Sequence, residues 1–298
     1  MNSIINEHVF IIGGTGNIGT KCVRELISKK IPVTLLARNP QKVSNLFPGV
    51  SSDALKVVQG DYNSDSVLKA ALPGHTRLFL LVTDIEHMGT IKGYLATLAY
   101  ASGIQQIVDI SSVSVNDPWR SRHIGYKARL AEEAILAAST QVKGTSVVTL
   151  RPSRFMSNTI VFDFPVNDAF IDNIPHDTPQ AWISTNDIGA LAASILADDI
   201  EKHGNEVYTM VSQIVTPAQR ADIFTRVLGR PISYKQVSAQ ERFDLLKNNA
   251  SHFSFSALYD LVTYIETNPT ISVGLPILLG REPETFEEYL EPNKHKLL

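Results

Sequence analysis

The sequence has a single cysteine, a small net charge and no long apolar run. The lone Cys22, on the apolar face of a predicted helix, cannot form a disulfide within the chain, so a reducing compartment is expected. A net charge of −3 without a Lys/Arg-rich tract gives no electrostatic basis for direct nucleic-acid binding. The apolar runs fall short of the roughly 18 residues that a membrane span needs, and no signal-peptide pattern is present. We therefore expect a soluble, cytoplasmic protein with neither membrane nor nucleic acid as a direct partner.

A glycine-rich turn near the start of the chain carries the strongest functional signal. The apolar run Val9–Ile12 is typical of a buried strand, and it ends at the turn Gly13–Gly19, after which apolar residues recur at helical spacing. A strand, a glycine turn and a helix in this order form the dinucleotide-binding fingerprint, in which the backbone and the helix N-terminus approach a pyrophosphate. A plain tight turn is the alternative. The context on both sides of the turn favours a dinucleotide site.

The end of the next predicted strand, 32–37, indicates which dinucleotide is bound. Arg38 follows that strand, where an NAD-binding protein usually has Asp or Glu to bind the ribose hydroxyls. A carboxylate would repel the 2′-phosphate of NADP, whereas a guanidinium can bind it with two parallel hydrogen bonds. The alternative is an exposed arginine at the start of a loop. Arg38, with Lys42 one turn into the next helix, favours NADP(H).

Apolar strands alternate with amphipathic helices through the first half of the chain. Continuous apolar runs are typical of strands covered on both faces, and the alternation predicts a doubly wound parallel sheet. We expect an α/β chain with a Rossmann domain over 1–152 and a smaller α+β substrate-binding lobe over 153–298, packed on it and partly interleaved with it. The predicted strands are 8–13, 32–37, 55–59, 77–82, 105–110, 145–150, 206–211 and 232–237. The predicted helices are 17–29, 40–47, 64–72, 87–102, 122–139, 186–198, 216–228, 239–249 and 254–267.

The predicted helix 122–139 carries the candidate catalytic residues. His123 and Lys127 are four residues apart and therefore share a helix face. A Tyr–Lys catalytic pair would need a tyrosine at the position of His123, and Tyr126 points about 100° away from Lys127. We predict that Lys127 binds ribose hydroxyls and lowers the pKa of a nearby proton donor. His123 is the candidate donor, since histidine exchanges protons near neutral pH. The alternative is two solvated residues on a polar face.

Short motifs in a fixed order extend over nearly the whole chain. Together with the glycine turn, this ordered set resembles the NmrA-like branch of the atypical short-chain dehydrogenase/reductase superfamily. The resemblance implies an NADP-binding Rossmann fold with a C-terminal substrate lobe. Members of the family either reduce small molecules, including quinones, azo dyes and iminium intermediates, or bind NADP and report redox state to a protein partner. The motifs are Leu36–Pro40, Gly60-Asp61, Ile110–Ser112, Lys127 with Glu132-Glu133, Leu150–Asn158, Ile183–Gly189, Val227–Ile232 and Leu279–Tyr289.

The resemblance and the strand ends together predict the site residues. Ligands of doubly wound sheets bind beyond the carboxyl ends of the strands, and the lobe aromatics either line an apolar pocket or form the core of the lobe. Asp187 is expected to cap the helix that follows it. Cofactor contacts are predicted at Gly13, Thr15, Gly16, Asn17, Ile18 and Gly19 (pyrophosphate), Arg38 (2′-phosphate), Asp61 and Tyr62 (adenine), and Thr83, Ser111, Lys127 and Phe155 (nicotinamide ribose and ring). Substrate contacts are predicted at Asp84, Ser112, Phe155, Asn158, Phe162 and Trp182.

Two functions fit this pattern. The first is an NADPH-dependent oxidoreductase that transfers a hydride to a small electrophile of quinone, azo, enone or iminium type. The second is an NADP-binding redox sensor without turnover, which would act through a protein partner. Lys127, His123 and the apolar lobe favour the enzyme. No metal site is predicted, and no motif suggests a flavin.

Overall fold

The computed structural model describes residues 7–297, and a seven-stranded parallel sheet is its largest element. The strands are β1 (Val9–Ile12), β2 (Val33–Ala37), β3 (Leu55–Gln59), β4 (Arg77–Leu80), β5 (Gln106–Ile110), β6 (Ser146–Pro152), β7 (Arg154–Phe155), β8 (Ala169–Asp172), β9 (Gln180–Ile183), β10 (Val207–Met210), β11 (Gln213–Val215) and β12 (Ser233–Gln236). The helices are α1 (Asn17–Ser28), α2 (Pro40–Leu46), α3 (Asp65–Ala71), α4 (Met88–Ala101), α5 (His123–Thr140), α6 (Asn158–Val161), α7 (Thr185–Ala197), α8 (Ile200–His203), α9 (Pro217–Leu228), α10 (Ala239–Asn249), α11 (Phe255–Thr263), α12 (Leu275–Leu279) and α13 (Phe286–Leu290). Short 3₁₀ helices cover Val113–Asn116 and Glu291–Lys296.

The large sheet has the strand order β10-β6-β5-β4-β1-β2-β3, which reverses direction at β1. Ile12 pairs with Leu36 of β2 and with Leu80 of β4, so these three strands end level with one another. The turns that follow them therefore meet at one edge of the sheet, where doubly wound folds bind ligands. This topology confirms the predicted α/β doubly wound fold.

The burial of the central strands explains why they form the middle of the sheet. Every residue of β1, β2, β4 and β5 is buried, as expected of strands covered by helices on both faces. One face of helix α1 is buried. Cys22 lies on that face and has no exposed surface. Burial raises the pKa of the Cys22 thiol, with a smaller contribution from Glu25. Cys22 is thus a core-packing residue.

The chain divides into two units. Unit 1 contains the described residues up to Asn116 together with Gly125–Arg151 and Ile188–Tyr208, and it holds the large sheet. Unit 2 contains Asp117–Ile124, Pro152–Asp187 and the described residues from Thr209 onward. Its strands form a three-stranded sheet, β11-β9-β7, and a two-stranded sheet, β12-β8. Aromatic side chains of β8, β9, α9 and α13 fill its core: Phe170, Trp182, Phe224 and Phe286.

Sequence periodicity located most, though not all, of the elements. Predicted elements of the first half each have an observed counterpart, whereas β7, β8, β9 and β11 were not predicted. These strands contain only two to four residues, and no regular alternation of strand and helix marks their positions in the second half of the chain. The prediction for Asp187 was also wrong. Its carboxylate binds Arg281 (2.7 Å) and the backbone N–H of Glu284 (2.8 Å), so it fixes the C-terminal segment instead of capping α7.

Within residues 7–297, no helix is both long enough and apolar enough to cross a membrane.

Candidate active site

The Gly13–Gly19 turn connects β1 to α1, and steric limits require glycine at its two ends. Gly13 has a φ of +91°, and a Cβ there would lie 2.7 Å from the carbonyl oxygen of Leu81. A Cβ on Gly19 would lie 2.3 Å from the carbonyl oxygen of Gly13. Gly16 differs, since it is exposed and its nearest neighbour would be 3.7 Å from an added Cβ. The turn is therefore closed on the protein side and open at Gly16, where a ligand could approach the backbone.

The N-terminus of α1 is free to bind an anion. Gly16 is its N-cap residue, no side chain caps the helix, and its first turn has no acidic residue. The first N–H groups of a helix have no partner within the helix and form the positive end of its dipole. Thr15 is half-buried and Asn17 is exposed, whereas the side chain of Ile18 is buried, which leaves only its backbone for a ligand.

Two exposed cations follow β2, and their side chains have no partner among the described residues. Arg38 directly follows the strand and is exposed, and Lys42 is exposed in the first turn of α2. Neither side chain forms a hydrogen bond or an ion pair with any other residue in the range 7–297. The side chain of Asn39 accepts the backbone N–H of Lys42 (3.1 Å) and so fixes the start of α2. A rigid turn thus carries two cations that remain available to a phosphate.

The turn after β3 is shaped by its own acidic residue. One carboxylate oxygen of Asp61 accepts the backbone N–H of Asn63 (2.8 Å) and the hydroxyl of Ser64 (3.2 Å). The half-buried ring of Tyr62 packs against the core of unit 1. Asp61 and Tyr62 therefore have a structural role, and their predicted contact with adenine remains a prediction.

Lys127 is held by a residue that sequence reasoning missed. Its Nζ donates to the carbonyl oxygen of Glu86 (2.9 Å) and lies 3.3 Å from Glu86 Oε2. Glu86 lies in the irregular segment between β4 and α4, where no periodicity indicates contacts. Helix α5 begins at His123, so His123 and Lys127 do lie one turn apart on the same helix. The structure thus fixes the ammonium group of Lys127 in unit 1.

The predicted ribose contact Ser111 belongs to a network at the ends of β5 and β6. Its hydroxyl donates to Glu132 of α5, and the same carboxylate accepts Arg151 Nε (2.9 Å). Arg151 also donates to Asn116 Oδ1 (2.9 Å). Because Ser111 donates its only proton to Glu132, it can offer a ligand only its acceptor lone pairs. Glu132 and Arg151 both occur in the ordered motifs, but the sequence did not indicate that they pair.

The other predicted site residues of unit 1 differ in whether their side chains already form hydrogen bonds within the protein. Thr83 is exposed after β4. Asp84 accepts the backbone N–H of His87 (3.1 Å), and its carboxylate is also within 3.1 Å of the His87 ring. Ser112 bonds with the hydroxyl of Ser114 (2.7 Å) at the start of the first 3₁₀ helix. Roles for these residues in binding stay predictions.

In unit 2, the segment that leads into α5 is fixed by Asp260 of α11. Arg122 Nε donates to Asp260 Oδ1 (2.7 Å), and the backbone N–H of Ile124 donates to Asp260 Oδ2 (3.0 Å). The guanidinium of Arg122 stacks on the ring of Tyr264, 3.9 Å from its centroid. His123, the candidate proton donor, is half-buried between these two anchored residues.

The predicted substrate residues of unit 2 fall into two groups. Trp182 is fully buried and packs edge-on against Phe286 at 5.0 Å, and Phe162 packs against Phe253 at 5.8 Å. This placement agrees with the alternative that these aromatics form the core of the lobe. Phe155 and Asn158, at β7 and the start of α6, are half-buried. Substrate contact stays a prediction for all four residues.

Known proteins resemble this chain over most of its length. The chain is 26% identical over 231 residues to a (4-alkanoyl-5-oxo-2,5-dihydrofuran-3-yl)methyl phosphate reductase of Streptomyces griseus, a match that covers 77% of each chain. It is 23% identical to the NAD(P)H azoreductase of Xenophilus azovorans over 94% of this chain and 96% of the relative. The fold matches that of the Citrobacter sp. triphenylmethane reductase complexed with NADP(H), with a TM-score of 0.75 and 21% identity over 95% of this chain and 99% of the other. The model of the NmrA-like family matches residues 6–290, and this chain belongs to that family.

Proposed function

We propose that this protein is an NADPH-dependent reductase that transfers a hydride to a small electrophile of quinone, azo, enone or iminium type. The observation that carries the proposal is the unpartnered Arg38 beside the open glycine turn. A 2′-phosphate fits that guanidinium, and a pyrophosphate fits the exposed backbone at Gly16 and the uncapped start of α1. The relatives support both the cofactor and the reaction class, since they include reductases and a reductase complexed with NADP(H).

The bound nicotinamide supplies the hydride, and the side chains supply position and a proton. Lys127 would bind the ribose hydroxyls, with its ammonium group already oriented by Glu86. The hydroxyl of Ser111 would accept a hydrogen bond from the ribose while it donates its own proton to the carboxylate of Glu132. His123, or water, would protonate the reduced substrate.

The relatives are reductases of different substrates, and all of these substrates are small molecules. They comprise a dihydrofuranone phosphate, azo compounds and triphenylmethane compounds. A hydride can be accepted by each of these conjugated systems. We therefore place the substrate of this protein among conjugated electrophiles.

The first test is the oxidation of NADPH by the purified protein against a panel of quinones, azo dyes, enones and cyclic imines. We expect turnover with at least one class. In Lys127→Ala, kcat/KM should fall about 10²-fold, while NADPH still binds through the glycine turn and Arg38. Lys143→Ala, which removes an exposed lysine, is the matched control and should leave turnover unchanged. Absence of turnover throughout the panel would contradict the reductase.

A redox sensor is the second candidate, and one surface observation favours it. Unit 2 exposes several large apolar side chains on or near α11 and α12, including Phe255 (70%), Val273 (89%) and Ile277 (85%). Where exposed apolar side chains form one contiguous patch, the surface is typical of one that binds another protein. A sensor must bind NADP⁺ and NADPH with different affinities, because equal affinities shift no equilibrium. Calorimetric titration with both forms measures this difference, and a large difference without turnover would favour the sensor.

A further inference from the structure

Unit 2 buries a cluster of charged side chains that the proposed reaction does not use. Asp163 accepts Arg220 (2.9 Å) on one carboxylate oxygen and Arg242 (2.7 Å) on the other. Asp172 lies 3.3 Å from Arg242 and 3.8 Å from Arg220. All four side chains are buried. Two arginines and two aspartates thus neutralise each other.

A third guanidinium beside this cluster has no such partner. Arg154 of β7 lies over the ring of Trp182, 5.3 Å from its centroid. It forms no hydrogen bond and no ion pair within the part of the chain that the structure describes, and its Nε is buried without a partner. The side chain as a whole is nevertheless partly exposed. Its terminal nitrogens can therefore be reached by a ligand.

The neighbouring carboxylates do not compensate Arg154 directly. Asp163 and Asp172 are engaged by the other two arginines, and Glu266 accepts the backbone N–H of Ala181 (2.9 Å) without reaching ion-pair distance of Arg154. Burial lowers the pKa of Arg154, although Asp172 and Asp163 oppose that effect. A guanidinium whose Nε is buried without a partner would gain a charge-assisted hydrogen bond from a bound anion.

Tyr264 supplies a second donor in unit 2, and the positive charge of Arg154 acts to lower the pKa of its phenol. Its hydroxyl has no hydrogen-bond partner among the described residues, and its ring is held by Arg122, which Asp260 fixes in turn. Tyr264 interacts electrostatically with both Arg154 and Arg122. Burial, with Glu266 and Asp117, raises the pKa of Tyr264 to about 12. At neutral pH the hydroxyl therefore keeps its proton and can donate it to an anion.

We propose that Arg154 and Tyr264 form an anion-recognition site, which binds a carboxylate or phosphate group carried by the substrate. The guanidinium offers two parallel donors to either group, and the phenol adds a third. Arg122 adjoins His123 in the sequence, so the same anchored segment carries the candidate proton donor. The inference rests on the proposed reductase, and it restricts the substrate class to electrophiles that bear an anionic group.

The test compares the rates with a charged substrate and with an uncharged analogue of similar size and shape. The pair is 4-(dimethylamino)azobenzene-4′-carboxylic acid and its methyl ester, assayed by NADPH oxidation. We expect the wild-type protein to prefer the acid by about tenfold or more in kcat/KM, as the loss of a charged hydrogen bond implies. Arg154→Gln should reduce that ratio to near one while the rate with the ester persists. Arg154→Lys should keep part of the preference, because it keeps the charge without the planar fork. Lys247→Gln, which removes an exposed cation of α10, is the matched control and should not change the ratio.

A binding measurement separates failure of this inference from failure of the reductase. Protein saturated with NADP⁺, so that Arg38 is occupied, is titrated calorimetrically with benzoate and with phenyl phosphate. Binding that is lost in Arg154→Gln and weakened several-fold in Tyr264→Phe supports the site even where no azo compound is reduced. The anion that binds more tightly distinguishes carboxylate from phosphate recognition.

Two results would overturn the proposal. One is an acid-to-ester ratio that is the same in the wild type and Arg154→Gln. The other is binding of neither anion to the wild-type protein, or equal binding to the wild type and the variant. If Arg154→Gln does not fold, Tyr264→Phe carries both comparisons, and an unchanged ratio and affinity there would reject the site.

Discussion

The two units each bury a charged centre, and the two centres are built differently. In unit 1, Lys92 Nζ lies 2.7 Å from Asp109 Oδ1, and the two side chains are 1% and 0% exposed. Lys92 also donates to the carbonyl oxygen of Ile110 (2.8 Å). In unit 2, by contrast, Asp163 lies between two guanidinium groups, each of which contacts a different oxygen.

The pKa values of the two aspartates move in opposite directions although both groups are buried. Burial raises the pKa of Asp109, and the single ammonium of Lys92 only partly offsets it. Burial also acts to raise the pKa of Asp163, but Arg242 and Arg220 outweigh it and the pKa falls. Burial alone therefore does not decide the charge state of a carboxylate. The number of cations, and whether each reaches its own oxygen, decides it.

The largest effect is expected from removing the shared carboxylate of unit 2. Asp163→Ala leaves two buried guanidiniums without their main partner and should lower the free energy of unfolding by about 3–5 kcal/mol. Asp109→Ala leaves one ammonium, which keeps its bond to Ile110, so a smaller loss is expected. Urea unfolding measures both. Asp53→Ala, at an exposed position, is the control and should stay within about 0.5 kcal/mol of the wild type. A larger loss in Asp109→Ala than in Asp163→Ala would reverse the comparison.

A smaller effect, on cofactor binding alone, is expected from removing the side chain of Arg38 in unit 1. The exposed side chain of Arg38 forms no hydrogen bond and no ion pair with another described residue, so Arg38→Ala should leave the free energy of unfolding unchanged. The Kd for NADPH should rise by roughly 10–100-fold, the effect of losing charged hydrogen bonds to a phosphate. The Kd for NADH, which lacks the 2′-phosphate, should change little. Titration of both cofactors checks this, and equal losses for the two would exclude Arg38 as the 2′-phosphate ligand.

The smallest effect is a difference in pH dependence between the two aspartates. The lowered pKa of Asp163 contributes stability above the unfolded value of about 4, and this contribution is lost as the pH falls through the folded pKa. The raised pKa of Asp109 has the opposite sign, because the folded state holds the proton more tightly and loses stability as the pH rises above about 4.

Asparagine variants, which imitate the protonated acids, make this difference measurable. Between pH 4 and pH 7, the stability of Asp109→Asn relative to the wild type should rise with pH. The relative stability of Asp163→Asn should be lower at pH 7 than near pH 3.5. Urea unfolding at each pH gives both slopes, and slopes of the same sign would contradict the assigned pKa directions.

The sequence predicted the large sheet because most of its strands are continuous apolar runs that alternate with amphipathic helices. The strand, the glycine turn and α1 could be located from adjacent residues alone. The charged centre of unit 2 could not, because Asp163 is 57 residues from Arg220 and 79 from Arg242. No local pattern relates residues at such distances. Glu86 was missed for a similar reason, since it meets Lys127 across 41 residues from an irregular segment.

In the candidate site, too, local sequence patterns located some residues but could not predict their side-chain contacts. Gly13, Gly19 and Arg38 were recognised from local spacing; the structure gives the two glycines a steric reason for their place, and the role of Arg38 stays a prediction. For Ser111, Asp84 and Ser112, the position at a strand end could be predicted from the sequence, but the side-chain partner that each one already has could not. Which of their atoms remain available to a ligand depends on those partners, and only the structure shows them.

The burial of Cys22 has a practical consequence for assays that use quinones as substrates. Quinones add to thiolates, so an accessible cysteine would consume the test compound and modify the protein during the assay. Cys22 is the only cysteine, it has no exposed surface, and burial raises the pKa of its thiol. Addition to Cys22 therefore does not compete with reduction in such an assay, and the assay can be run without a thiol reductant that would itself react with the quinone.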